Sequence, residues 1–158
     1  MKKELVKGLT MLMLVVAFAL ATAVASAKPQ LSHRVVADIP FEFSVGYKAM
    51  PAGEYDIKTI NTAGNALLIR SADGKNSALR LSDETGRKEN KTRARLVFHR
   101  YGERYFLAEV WNGIDQTGRQ LLKSQEERAI EKEFKSISAN SATEKNTYET
   151  VEVLAALR

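Results

Sequence analysis

The chain has 158 residues, a formal net charge of +5, two histidines and no cysteine. This inventory excludes disulfides and argues against a zinc or iron site, which needs three or four imidazole or thiolate ligands. The charge is far from the dense basic patch of a nucleic-acid-binding protein. No G-x-G-x-x-G or Walker pattern occurs either, so we expect no cofactor and no nucleic-acid partner.

Residues 1–27 have the three parts of a secretory signal peptide. Lysines dominate the start, an uncharged apolar run spans 9–24, and Ala-Ser-Ala at 25–27 is a small-x-small cleavage pattern. An uncleaved membrane anchor is the alternative, since the run nearly reaches the roughly 18 apolar residues of a spanning helix. We predict cleavage, a periplasmic or extracellular location, and one β-rich domain at 28–158. Membrane contact is then expected only through the signal peptide before cleavage.

Two alternating runs open the predicted domain. Residues 34–45 place apolar side chains on one parity and polar ones on the other, which predicts a half-buried strand. Pro40 cannot donate to a strand ladder, so this strand should lie at an edge or be bulged there. After turns at 46–48 and 50–53, residues 54–60 alternate again, and we expect the two runs to pair.

The middle of the chain predicts a second hairpin followed by a loop. Residues 66–70 and 77–81 flank Asp73-Gly74, a dipeptide typical of a type I′ turn. The polar segment 82–93 predicts an exposed loop. The basic residues of this segment, together with Arg95, could bind an acidic surface of a partner. A charged run between strands is, however, usually only a solvated loop. The basic residues are Arg87, Lys88, Lys91, Arg93 and Arg95.

Residues 94–111 predict the clearest hairpin in the chain, with its turn at Gly102-Glu103. This register places His99 opposite Phe106 and Phe98 opposite Leu107. Cross-strand aromatic pairs of this kind contribute roughly 0.2–1 kcal/mol each.

A helix is predicted at about 125–137. Ser124 and Glu127 match a capping box, in which the serine oxygen accepts the backbone N–H three residues on. One apolar stripe at helical spacing follows; it consists of Ile130, Phe134 and Ile137. A mobile loop at 138–146 and a possible last strand at 148–156 complete the chain.

These elements together predict an all-β fold. We expect a small antiparallel barrel or sandwich of about six or seven strands, with one C-terminal α-helix packed on it.

His99 and three carboxylates are the candidates for chemistry. His99 could act as a general base near Tyr101 or Glu109, although a lone histidine on an apolar strand face is usually part of the core or its rim. Two of the carboxylates could cleave a glycoside, but they alternate with apolar residues as a solvated sheet face does. The three candidate carboxylates are Glu42, Glu54 and Asp56. We therefore assign no catalytic residue.

An aromatic-lined cavity is a further hypothesis, because closed sheets of this size can hold one small apolar ligand. Aromatic residues at strand spacing more often fill a core. The candidate cavity residues are Tyr55, Phe98, His99, Tyr101, Tyr105, Phe106 and Trp111.

Three segments, at 39–57, 67–75 and 96–111, resemble a family of small secreted bacterial proteins seen mainly in acidobacteria. The shared pattern is a signal peptide with P-F-x-F-x-V-G, P-A-G-x-Y and H-R-Y-G segments. The resemblance covers about residues 35–135. It implies no activity and carries over no site residue.

Three functions follow in order of preference. The first is an exported, non-enzymatic binding or structural module of the cell envelope, whose partner is an envelope component or a small apolar ligand. The alternative is a barrel-type carrier of a small apolar ligand. The second alternative is an extracellular hydrolase, which needs two carboxylates, or His99 with a nucleophile, in one cleft.

Overall fold

The computed structural model describes residues 34–60, 65–86, 93–114, 117–139 and 147–158. All of them belong to the unit Ser32–Arg158. They are mostly β-strand with one α-helix, which confirms the predicted β-rich class. The predicted signal peptide lies outside the described residues, as do 87–92 of the basic loop and 140–146 of the predicted mobile loop.

The described residues form eleven strands and one helix. The strands are β1 (Arg34–Ile39), β2 (Phe43–Val45), β3 (Lys48–Met50), β4 (Gly53–Thr59), β5 (Ala66–Ser71), β6 (Ser77–Gly86), β7 (Arg95–Tyr101), β8 (Arg104–Trp111), β9 (Thr117–Leu121), β10 (Glu149–Leu154) and β11 (Ala156–Leu157). The helix, α1, spans Gln125–Ala139. The prediction of six or seven strands was too low.

The strands pair in the order β10-β7-β8-β9-β6-β5-β4-β1-β11. β2 pairs with β3 and, through Ser44 opposite Phe106, in parallel with β8. The sheet is therefore mixed, where a purely antiparallel one was expected. β10 and β11 do not pair with each other, so the sheet is not closed and a barrel is not formed by pairing.

The first predicted strand is interrupted. β1 ends at Ile39 and β2 starts at Phe43, because Pro40 has no N–H to continue the ladder. β1 pairs with β4 from Arg34 opposite Lys58 to Ile39 opposite Gly53, as expected for the two alternating runs. β2 instead turns back on β3 through Gly46, whose φ of 68° suits a residue without Cβ.

The β5–β6 hairpin is present, but its turn is not type I′. No described residue other than glycine has a positive φ, so Asp73 does not take the conformation that a type I′ turn requires. Instead, Asp73 Oδ1 accepts from Ser71 Oγ at 2.5 Å and from the Lys75 N–H at 3.0 Å. These bonds hold the pKa of the Asp73 carboxyl below its ordinary value.

Residues 82–86, predicted as loop, continue β6. The strand changes partner at this point: 77–81 pair with β5, and 82–86 pair with β9. β9 was also not predicted. Its five residues (Thr-Gly-Arg-Gln-Leu) have no strong β pattern, and the strand exists because β6 and β8 flank it.

The β7–β8 hairpin has the predicted register, with His99 opposite Phe106 and Phe98 opposite Leu107. The register shifts between Val97 and Phe98, leaving Ala108 as the extra residue on β8. Such a bulge changes which parity of a strand faces inward. Leu107 before it and Val110 after it both reach the core.

Each of the strands β1 to β9 contributes at least one side chain to the core. Phe43 is central to it, with edge-on ring contacts to Tyr55 (centroids 5.1 Å apart) and Phe98 (5.5 Å). Burying an aromatic side chain of this size contributes about 1.5–3 kcal/mol. Tyr55 also donates its hydroxyl to the carbonyl of Pro51 at 2.7 Å, which ties the Pro-Ala-Gly turn to the core.

The C-terminal segment, residues 147–158, pairs with both ends of the strand path. β10 runs antiparallel to β7, and β11 runs antiparallel to β1, with only Ala155 between them. The Ala155 N–H donates to the carbonyl of Ala94, and Arg34 and Arg158 exchange two backbone bonds of 3.0 and 2.8 Å. The structure has two strands here, β10 and β11, where one last strand at 148–156 was predicted.

α1 begins with the predicted cap: the Glu127 N–H donates to Ser124 Oγ at 3.0 Å. Ile130 and Phe134 are half-buried, and the Phe134 ring packs against Tyr101. The side chain of Ile137 lies outside the described residues. No helix within the described ranges is both long and apolar enough to cross a membrane.

We predict that Gly118→Ala destabilises the fold by about 1–3 kcal/mol, the usual cost of overpacking. A Cβ there would lie 2.6 Å from the Trp111 ring. Gly86→Ala is the matched control, since a Cβ on Gly86 meets nothing within 4 Å. Its unfolding free energy in urea should stay within about 0.5 kcal/mol of wild type. Equal effects of both substitutions would contradict this packing.

Candidate functional site

A polar cleft of about 550 Å³ lies over strands β6 to β10. Its volume falls within the range of about 300–1,000 Å³ typical of small-molecule sites. The lining side chains come from β6, β7, β8, β9, β10 and the segments that precede α1 and β10. They are Thr85, Gly86, Arg95, His99, Glu109, Trp111, Gln120, Lys123, Tyr148 and Glu152.

Strand register explains why these residues meet. Arg95 lies opposite Trp111, and Val97 lies opposite both Glu109 on β8 and Glu152 on β10. Glu109 in turn lies opposite Gln120 on β9. The β8 bulge sets this arrangement, because it directs Val110 to the core and leaves Glu109 and Trp111 for the other face.

A buried His99–Glu127 pair forms one end of the cleft. His99 Nδ1 lies 2.7 Å from Glu127 Oε1, and both side chains are almost fully buried. The Tyr101 hydroxyl lies 3.5 Å from the same carboxylate oxygen. Because Nδ1 is engaged by Glu127, Nε2 is the ring nitrogen that remains for the cleft. Helix capping at Ser124 fixes the backbone from which Glu127 reaches this histidine.

Tyr148 and Lys123 cover the same end. The Tyr148 ring packs against His99 with centroids 4.1 Å apart and a tilt of 38° between the rings, and Lys123 Nζ lies 4.8 Å from the Tyr148 ring centre. Lys123 also donates to Glu131 Oε2 at 2.9 Å. That hydrogen bond, helped by Lys135, lowers the pKa of the Glu131 carboxyl. Glu131 on α1 thus holds the Lys123 side chain beside the cleft.

Arg95 is buried, with 6% of its surface exposed. The prediction of a solvated basic loop was therefore wrong for this residue, because β7 begins here. Within the described structure, its Nε and Nη1 have no hydrogen-bond partner. Arg95 forms an ion pair with Glu152, whose Oε1 lies 3.6 Å from Nε, longer than a hydrogen bond. A buried donor left unsatisfied costs about 1–3 kcal/mol.

Trp111 closes the floor beside Arg95. The Arg95 guanidinium lies 4.9 Å from the centre of the indole ring, and the Cα of Gly118 approaches the ring so closely that a Cβ would not fit. The indole Nε1 donates to Glu109 Oε2 at 2.8 Å. These contacts fix both the ring and the Glu109 carboxylate.

The seven predicted cavity residues are divided between the cleft and the core. His99 and Trp111 line the cleft. Tyr101 does not line it, but its hydroxyl lies 3.5 Å from Glu127, the residue that pairs with His99. Phe98 and Tyr55 belong to the core around Phe43. The other two do not line the cleft either: the Tyr105 ring stacks on Phe41 at 3.9 Å, and Phe106 packs edge-on against Tyr101.

The other sequence candidates lie away from this cleft. Glu42 and Glu54 are exposed, and Asp56 forms an ion pair with Arg34. Sequence reasoning placed Tyr101 and Glu109 near His99 but missed Glu127, its hydrogen-bond partner. Glu127 was visible only as the glutamate at the end of a capping box, three residues after Ser124, and this signal does not indicate a partner 28 positions away.

No protein-family model, curated protein or solved structure matches the chain. What the cleft can bind is therefore inferred from its own residues. Among the described residues, no group of three or more histidines and carboxylates is placed to hold a metal ion.

We predict that two of the five tyrosines, Tyr55 and Tyr101, ionise at higher pH than an ordinary tyrosine. Burial raises the pKa of both phenols above the ordinary value of 10.0, and the charge of Glu127 adds to the effect at Tyr101. Their contribution to stability is full below the unfolded value near pH 10 and is lost as pH rises through the folded pKa. A phenolate absorbance titration, with circular dichroism in parallel, measures this.

Tyr101→Phe provides the control for that titration. It should remove one late-ionising group from the titration. Five tyrosines titrating together near pH 10 in the folded protein would contradict the burial of Tyr55 and Tyr101.

Proposed function

We propose that the protein is an exported, non-enzymatic binding module of the cell envelope, and that the polar cleft binds a small polar molecule. The convergence of side chains from five strands on one concave surface of ligand size is the observation that carries this proposal. Binding sites commonly combine such a concavity with a few fixed polar groups.

The polar groups of the cleft are held in place before any ligand arrives. His99 is fixed by Glu127, Glu109 by the Trp111 indole, and Lys123 by Glu131. Fixed donors and acceptors reduce the ordering cost of binding, which favours specific recognition. An apolar ligand is less well supported, because the cleft is polar and Phe98 and Tyr55 pack into the core.

We further propose that the strands form a barrel-like arrangement. β10 and β11 stand at opposite ends of the pairing order, yet they are consecutive in the chain. One short segment therefore links the two ends. This supports the barrel over the sandwich among the architectures that the sequence left open.

The hydrolase alternative would use the same cleft, since His99, Glu109 and Glu152 all line it. Both carboxylates are engaged by neighbouring side chains, however: Glu109 accepts from the Trp111 indole, and Glu152 lies 3.6 Å from Arg95 Nε. These contacts support binding over turnover.

We predict that small polar molecules change the fluorescence of Trp111, the only tryptophan in the chain. A panel of sugars, sugar acids, amino acids and polyols should include at least one binder, recovered chemically unchanged. Gln120→Leu should weaken its binding, because this side chain lines the cleft. Arg104→Gln, at an exposed arginine outside the cleft, should have no effect. A binder that is recovered cleaved would favour the hydrolase, and a panel without any binder would contradict the proposal.

We predict that the mature protein begins at residue 28. Expression of the full chain in a bacterial host, followed by fractionation and intact-mass measurement, should give a periplasmic or extracellular species lacking residues 1–27. Ala27→Leu should impair cleavage, because the processing site needs a small residue there. A cytoplasmic protein of full-length mass would contradict export.

A further inference from the structure

The guanidinium of Arg95 lines the cleft without enough acceptors for its donors. Nε and Nη1 have no hydrogen-bond partner within the described part of the chain, although the residue is 94% buried. Buried polar side chains nearly always have a partner, and an exception requires an explanation such as a water or a ligand. An acceptor from the cleft is the missing component.

Among the described residues, the groups around Arg95 do not supply that acceptor. Glu152 forms an ion pair with Arg95, but its Oε1 lies 3.6 Å from Nε, which is beyond hydrogen-bond length, and the Glu152 side chain is 37% exposed. The guanidinium carbon lies 4.9 Å from the centre of the Trp111 ring, and this ring contact is a cation–π contact that provides no hydrogen-bond acceptor in the ordinary sense. Glu109 lines the cleft too, but its Oε2 accepts from the indole.

Two further groups can assist an anion in the cleft. Lys123 lines the cleft as a second cation, although it is also ion-paired with Glu131, and His99 has Nε2 available because Glu127 engages Nδ1. Two carboxylates, Glu109 and Glu152, line the same cleft. A singly charged oxyanion therefore fits better than a multiply charged one, since both glutamates would repel each added negative charge.

We propose that the cleft binds a small polar carboxylic acid, with the carboxylate on Arg95 and the rest of the molecule against Gln120, Thr85 and Tyr148. This deepens the proposed function and rests on it. Arginine pairs with carboxylates through short, charge-assisted hydrogen bonds, which are roughly twice as strong as neutral ones. The cleft volume of about 550 Å³ leaves room for a polar body beyond the carboxylate.

The test compares acids with their neutral counterparts. Galacturonate against galactose, and gluconate against sorbitol, each differ in one carboxylate that replaces a CH₂OH group. Binding is followed by the single indole N–H resonance of Trp111 in the mature protein. We expect the acid of at least one pair to bind at least tenfold more tightly than its neutral counterpart.

Variants assign the carboxylate contact to Arg95. Arg95→Gln should reduce acid binding at least tenfold and leave any binding of the neutral counterpart unchanged. Arg95→Lys, which keeps the charge but loses the planar donors, should recover part of the affinity. Arg104→Gln is the matched control and should bind as wild type does. If Arg95→Gln fails to fold, Arg95→Lys and Lys123→Gln carry the comparison.

The outcomes separate this inference from the proposed function. Equal affinity for acid and neutral counterpart, unaltered by the Arg95 variants, would overturn the carboxylate and keep the binding module. If no member of either pair shifts the indole resonance, carboxylate recognition by Arg95 is overturned. The broader fluorescence panel then decides whether the cleft binds any small polar molecule.

Discussion

Pairing of the C-terminal segment with both ends of the strand path is the constraint on which the rest of the structure depends. Without residues 147–158, the edges of β1 and β7 would present unpaired N–H and C=O groups. The segment also completes the cleft, because Tyr148 and Glu152 form one wall of it. Its own side chains are half-buried at best, so backbone hydrogen bonds and a few contacts from Val151, Val153 and Leu157 hold it.

The bulge between β7 and β8 gives this hairpin two different faces. Leu96, Phe98 and Leu107 complete the apolar core, while Arg95, His99 and Trp111 are buried on the opposite side under polar neighbours. Arg95 is buried beside Trp111 and 3.6 Å from Glu152, and two of its donors have no hydrogen-bond partner within the described structure. The proposed ligand would supply an acceptor for this guanidinium. The His99–Glu127 pair, by contrast, is satisfied internally and links α1 to β7.

Local patterns in the sequence determined what could be predicted. The hairpin at 94–111, its register and the cap at Ser124 follow from alternation, turn residues and capping spacing, and the structure contains them. The strand at 82–86 could not be foreseen, because its charged residues pair with β9 only after the chain has folded. Arg95 was assigned to a solvated loop for the same reason: composition does not indicate that Trp111 and β10 bury it.

Amide hydrogen exchange of the C-terminal segment tests the central claim most directly. The Ala155 and Arg158 N–H groups donate to the carbonyls of Ala94 and Arg34, so their exchange should be slow. We expect peptides covering 147–158 to be protected on the same time scale as peptides covering β7 and β1. Full exchange of 147–158 while β7 stays protected would contradict it, because the cleft would then lack a stable wall.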